Sequence, residues 1–175
     1  MKGILPALII MFVTVPVSPQ GEPKVNVDLG VVVDTFAPGD AVGFPVTVVT
    51  RNDPQMGSVS FEMAFPAAVL SFTDAALGGA VESEGAALNT EVRDGEDGER
   101  KILSVKVSSA NPIAQGLLVM LTFEVSQEIA INHDIQLENL SQSSKSLDGE
   151  DLNTRGLDGS ITSIEFIPAC LFYMH

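Results

Sequence analysis

The chain has 175 residues, 45% of them apolar, which suffices for one domain with a closed core and is too apolar for a disordered acidic chain. Acidic residues number 23 against nine basic ones, for a formal net charge of −14. Such a charge repels phosphate backbones and argues against a nucleic-acid partner. With Cys170 as the single cysteine, no internal disulfide is possible and the fold must stand on packing.

The N-terminus reads as a secretory leader: Lys2, almost nothing polar from Gly3 to Val17, then Ser18-Pro19-Gln20-Gly21. Its apolar run is shorter than the ~20 residues of a membrane span, so the mature chain is expected to lack one. Residues 1–21 are therefore assigned to a signal peptide, and the expected location is secreted or cell-surface.

From Val25 the chain alternates with a period of two, the mark of half-buried strands. Val25, Val27, Leu29, Val31 and Val33 form a first apolar row, closed by Pro38-Gly39-Asp40. Val42, Phe44, Val46 and Val48 form a second, and Asn52-Asp53-Pro54 with Gly57 supplies turn chemistry. Val59, Phe61, Met63 and Phe65 make a third, stopped by Pro66, after which Val69, Leu70 and Phe72 resume apolar contact. A single helical turn fits Ala75 to Gly79, and a weaker stretch runs from Ala80 to Val92. Asp94-Gly95-Glu96-Asp97-Gly98 reads as a hairpin tip. Leu103, Val105 and Val107 point inward next, then Val119, Leu121, Phe123 and Val125, with Leu118 and Met120 opposite, as in a strand buried on both faces. Ile135 and Leu137 lead into Ser141–Ser144, a polar strand end or loop, and Ile161 begins a closing strand. These runs predict an all-β antiparallel sandwich of about eight or nine strands. Its core is expected to include Phe61, Phe65, Leu103, Val105, Leu121 and Phe123. One module spans residues 22–164. The tail 165–175, EFIPACLFYMH, either extends the last strand or is a remnant outside the fold.

No catalytic constellation is found. There is no G-x-S-x-G elbow, His133 and His175 have no partner pattern, and turns explain the acids of Glu91–Glu99 and Asp148–Asp158. Asp151, Asn153, Gly156 and Thr162 fall at positions of a calcium loop, but Arg155 stands inside it and Thr162 is no bidentate carboxylate. No metal and no cofactor is expected. Asn139-Leu140-Ser141 matches a glycosylation sequon by chance. The chain has no Trp, its one Tyr is Tyr173, and Phe44, Phe61, Phe65 and Phe123 lie on inward rows. A planar aromatic platform for polysaccharide is therefore not expected.

Order and spacing of these segments resemble the cohesin family. Phe44-Pro45-Val46 is similar to its early Ile-Pro-Val strand, and Gly57 to Phe65 to the Gly-led strand that follows. Phe65, Pro66 and Val69-Leu70 continue the pattern, as do Gly116–Val125 (GLLVMLTFEV), Leu147-Asp148-Gly149 and Leu157-Asp158-Gly159-Ser160-Ile161-Thr162. The likeness covers Val25 to Ser163. It implies a jelly-roll sandwich and a non-catalytic module that binds a protein partner, dockerin-bearing in the family, in extracellular polysaccharide degradation or surface assembly. A carbohydrate-binding module of the same fold, or a purely structural surface domain, is the alternative. In cohesins the dockerin lies on one flat sheet face, on outward polar residues that include an Asn and an Asp two residues apart. Aligned through Phe65, those positions hold Ser58 and Ser60 here. Hydroxyls replace a charged acceptor whose hydrogen bonds are worth about 1.5–3 kcal/mol. The candidate partner-binding face comprises Ser58, Ser60, Glu62, Ser104, Lys106, Gln136 and Glu138.

Overall fold

A computed structural model describes residues 22–37, 39–82, 84–126 and 134–164. The leader, the tail with Cys170, and both histidines lie outside them. The described residues form twelve strands: β1 Val25–Leu29, β2 Val31–Asp34, β3 Ala41–Thr50, β4 Met56–Pro66, β5 Leu70–Leu77, β6 Ala86–Asp94, β7 Arg100–Ser109, β8 Gly116–Val125, β9 Asp134–Ser146, β10 Asp151–Leu152, β11 Thr154–Leu157 and β12 Gly159–Ser163. They pair into a five-stranded sheet, β11-β1-β3-β8-β5, and a seven-stranded sheet, β2-β12-β9-β4-β7-β6, with β10 on β9. The two sheets enclose one core, as expected of the all-β sandwich.

Two details of the expectation change. There are twelve strands rather than eight or nine, because short edge pieces carry too few residues to show a period. The sheets are mixed rather than wholly antiparallel, since β1 pairs with β11 and β2 with β12 in parallel.

The expected first row is really two strands on different sheets. Val25, Val27 and Leu29 are buried, whereas Val31 and Val33 are exposed. The chain changes sheet at Gly30, whose N–H donates to the Pro45 carbonyl at 3.0 Å and whose carbonyl accepts from Ser160 N–H at 3.1 Å. A Cβ on residue 30 would lie 2.5 Å from the Pro45 carbonyl oxygen, so only glycine lets the backbones cross this closely. The other long rows stand as expected. Phe61, Phe65, Leu103 and Val105 from the seven-stranded sheet meet Leu121 and Phe123 from the five-stranded one, all at most 2% exposed. Phe123 has edge-on ring contacts with Phe44, Phe65 and Phe72, and the Phe65 contact crosses between the sheets.

Local punctuation follows backbone chemistry. Asn52 and Asp53 take left-handed φ values of 62° and 44° at the β3–β4 corner, which their short polar side chains tolerate. Ala75 to Leu77 continue β5 instead of making a helical turn, because β8 offers them a ladder. In the stretch from Ala80 only Ala86 onward is strand, while Ala80 and Val81 plug the core. On β8, Leu118 is fully buried and Met120 half-buried. Residues 141–144 are neither strand end nor loop: β9 continues through them to Ser146.

Candidate functional site

The outward face of β9-β4-β7-β6 carries cross-strand rows of polar side chains. In one row Ser141, Glu62, Ser104 and Glu91 stand directly opposite one another across the four strands. In the next stand Ser143, Ser60, Lys106 and Asn89, and in a third Lys145, Ser58, Ser108 and Ala87. The first two rows line a shallow trough of about 740 Å³. Strand alternation puts these residues outward because their neighbours Val59, Phe61, Leu103 and Val105 are committed to the core.

Glu62 is the electrostatic centre. Its carboxylate accepts from Arg93 at 3.0 Å, from the Ser104 hydroxyl at 2.9 Å and from the Ser141 hydroxyl at 3.2 Å. The Arg93 hydrogen bond leads, with Ser104 next, in holding this carboxyl below the usual glutamate range. One row away, the Ser60 and Ser143 hydroxyls share a 2.8 Å hydrogen bond. Arg100 closes the rim, held by Asp97 at 2.9 Å and Glu138 at 2.7 Å. A chain of net charge −14 thus gathers Arg93, Arg100, Lys106 and Lys145 on one face, against Glu62, Glu91 and Glu138. Arg93 and Arg100 have carboxylate partners on this face and Lys145 reaches Asp151 of β10, whereas Lys106 and Glu91 have no side-chain partner among the described residues.

Of the seven residues expected on a partner face, five come together: Ser58, Ser60, Glu62, Ser104 and Lys106. Glu138 stands at the rim, opposite Ala64 and tied to Arg100. Gln136 lies apart, opposite Ser160 of β12 with its amide donating to Asp134. A bulge at Leu140 lets one residue slip between the Glu62–Ser141 and Met63–Asn139 pairs and keeps Ser141 and Ser143 facing out. Ser141, Ser143, Asn89, Glu91 and Arg93 were missed by sequence reasoning. Glu91 in particular belongs to strand β6 rather than to a turn. Polar residues at every second position, Asn89, Glu91 and Arg93, and Ser141, Ser143 and Lys145, were a weak signal, because Thr90, Gln142 and Ser144 between them are polar too.

The segment resembling a calcium loop runs through β10, β11 and β12, with Asp151 on Lys145 and Arg155 beside Asn26 of β1. Among the described residues no group of three or more His, Cys, Asp or Glu is placed to hold a metal ion. No helix among them is long and apolar enough to cross a membrane. Asn139 of the sequon is folded inward: its amide donates to the Val27 carbonyl at 3.3 Å and packs under Gly156.

The family model described as Cohesin domain matches residues 25–163. Among solved structures, the cohesin of the Coh-OlpA-Doc918 cohesin–dockerin complex from Clostridium thermocellum is 18% identical, with a TM-score of 0.67 over 81% of this chain and 99% of that one. A non-cellulosomal cohesin from the archaeon Archaeoglobus fulgidus is 16% identical, with a TM-score of 0.64 over 87% and 99%. CaCohA2 from Clostridium acetobutylicum is 20% identical, with a TM-score of 0.62 over 83% and 94%. These likenesses show a shared fold. A search of curated proteins finds no match.

Proposed function

The chain belongs to the cohesin domain family, and we propose that it is a secreted, non-catalytic module that binds a dockerin-type protein on the outer face of β9-β4-β7-β6. The observation that carries this reading is the polar trough itself. It is flat enough for a protein surface, balanced in charge within an acidic chain, and holds Lys106 and Glu91, which have no side-chain partner among the described residues. Unpaired charges of both signs favour a partner with the complementary pattern and steer its approach. The complex with dockerin Doc918 formed by a structural neighbour supports the same partner class. Extracellular polysaccharide degradation or surface assembly is the setting in which such a module would act, and residues 1–21 would direct its export. Sugar stacking is disfavoured because Phe44, Phe61, Phe65 and Phe123 are all buried.

Ser58 and Ser60 set the specificity in this reading. Position 60 faces Lys106 and Ser143, so a carboxylate there would be well received, and position 58 lies between Ser108 and Lys145. Titration calorimetry against a type I dockerin tests the proposal. The parent should bind weakly. Ser58→Asn with Ser60→Asp should tighten binding roughly 10- to 100-fold, the equivalent of restoring hydrogen bonds to a charged acceptor. Tight binding by the parent would overturn the specificity assigned to these serines. No heat from either protein would overturn the partner class.

A further inference from the structure

Beside the trough the seven-stranded sheet ends on β6, nine residues that pair with β7 in unbroken register and with no other described strand. An open edge offers a row of backbone donors and acceptors, and folded proteins blunt such edges with proline, bulges, lysine or inward-pointing charges. β6 has no proline, bulge or lysine, and its one charge of inward parity is Asp94 at the very end. Register puts Leu88, Thr90 and Val92 on the core side, opposite Val107, Val105 and Leu103, which are all buried. Thr90 is nevertheless exposed and Val92 is 40% exposed, because the five-stranded sheet ends on β5 and does not cover them. An apolar side chain of core parity thus stands uncovered on an unpaired strand.

We propose that the strand lying along this edge is β6 of a second copy, antiparallel about a two-fold axis through Thr90. An isologous pair needs a strand that complements itself when reversed, and β6 does. In this register all nine residues overlap. Leu88 of each copy lies opposite Val92 of the other on the core side, so each exposed valine gains an apolar neighbour ~5 Å away. On the outer side Asn89 lies opposite Glu91 of the second copy, an amide donor for a carboxylate with no side-chain partner among the described residues. Ala87 meets Arg93 and Ala86 meets Asp94, so no charge faces its like. Centring the axis on Glu91 would oppose two carboxylates, and centring it on Val92 would pair five residues of β6 instead of nine. A two-fold axis normal to the sheet keeps both outer faces on one side. The row Ser143, Ser60, Lys106 and Asn89 then runs on into Glu91, Ser104, Glu62 and Ser141 of the second copy, joining the two troughs into one surface. This dimer follows from the edge alone and does not depend on the identity of the partner bound in the trough.

Introduced cysteines read the register. Thr90→Cys, Val92→Cys and the double variant Asn89→Cys with Glu91→Cys are each placed in the full chain carrying Cys170→Ser, which removes the sole native thiol. Each is oxidised with glutathione disulfide, and covalent dimer is followed on non-reducing gels. All four positions are exposed on one strand, so random encounters link them at similar rates. In the proposed dimer position 90 faces its own copy and position 89 faces 91, one pair of each hydrogen-bonding class. The two copies of position 92 are offset by ~13 Å along the strands, beyond disulfide reach. Thr90→Cys or the double variant should therefore link at least ~10-fold faster than Val92→Cys, because pairing holds the facing thiols at high effective concentration. Rates for both no greater than that of Val92→Cys would overturn the proposal, and linkage fastest at 92 would overturn the register with it. Absence of covalent dimer from every variant would also overturn it, leaving β6 without a second copy along its edge.

Discussion

Phe123→Ala removes the side chain on which the two sheets meet, and its cost can be worked from the packing. Phe123 is fully buried on β8, with ring centroids 6.4 Å from Phe44, 5.2 Å from Phe65 and 5.8 Å from Phe72, at interplanar angles of 82°, 68° and 68°. Truncating a buried Phe to Ala costs about 3–5 kcal/mol through lost transfer energy and the cavity left behind. Each edge-to-face pair adds about 0.5–1.5 kcal/mol beyond area burial, so three pairs place this site near the top of that range. At about 2–4 °C per kcal/mol for a domain of this size, a loss near 5 kcal/mol lowers the melting temperature by roughly 10–20 °C. Phe123→Leu keeps most of the volume and should fall by less than half as much. Thermal unfolding followed by circular dichroism reads both variants. A Phe123→Ala protein melting within a couple of degrees of the parent would refute the packing argument, and so would equal losses for Ala and Leu.

Two further outcomes are expected. Arg93, Ser104 and Ser141 hold the Glu62 carboxyl below its ordinary value of 4.5, so its ionised form stabilises the fold. That contribution is complete above pH 4.5 and is lost as pH falls through the lower folded value. Glu62→Gln should therefore melt a few degrees below the parent at pH 7, and the gap should narrow on acidification to pH 3; a gap that widens would contradict the sign. For the leader, N-terminal sequencing of protein recovered outside the cytoplasm should begin beyond Val17, and an intact Met1 on a cytoplasmic product would refute export.

Residue alternation by itself determined the strands that bury one complete face. β3, β4, β7 and β8 each carry several large apolar residues at every second position, and a strand with one face in the core has no other way to be written. The same alternation placed Ser58, Ser60, Glu62, Ser104 and Lys106 outward, since the opposite parity was already committed to the core. Which outward residues share a surface was not legible, because sheet neighbours are set by pairing between segments far apart in the chain. Glu62 finds Ser141 through β9 and Arg93 through β6, at separations of 79 and 31 residues. Gln136 is parted from the trough by its place farther along β9, beyond the Leu140 bulge and beside β12. The break at Gly30 was equally hidden. Val25 to Val33 reads as one continuous row, and only the approach of Pro45 and Ser160 to a residue without a Cβ sends its second half to the other sheet. Local sequence decides which side of a strand is apolar; the tertiary structure decides what that strand lies beside, because hydrogen-bonded pairing carries no signature in the residues between the partners.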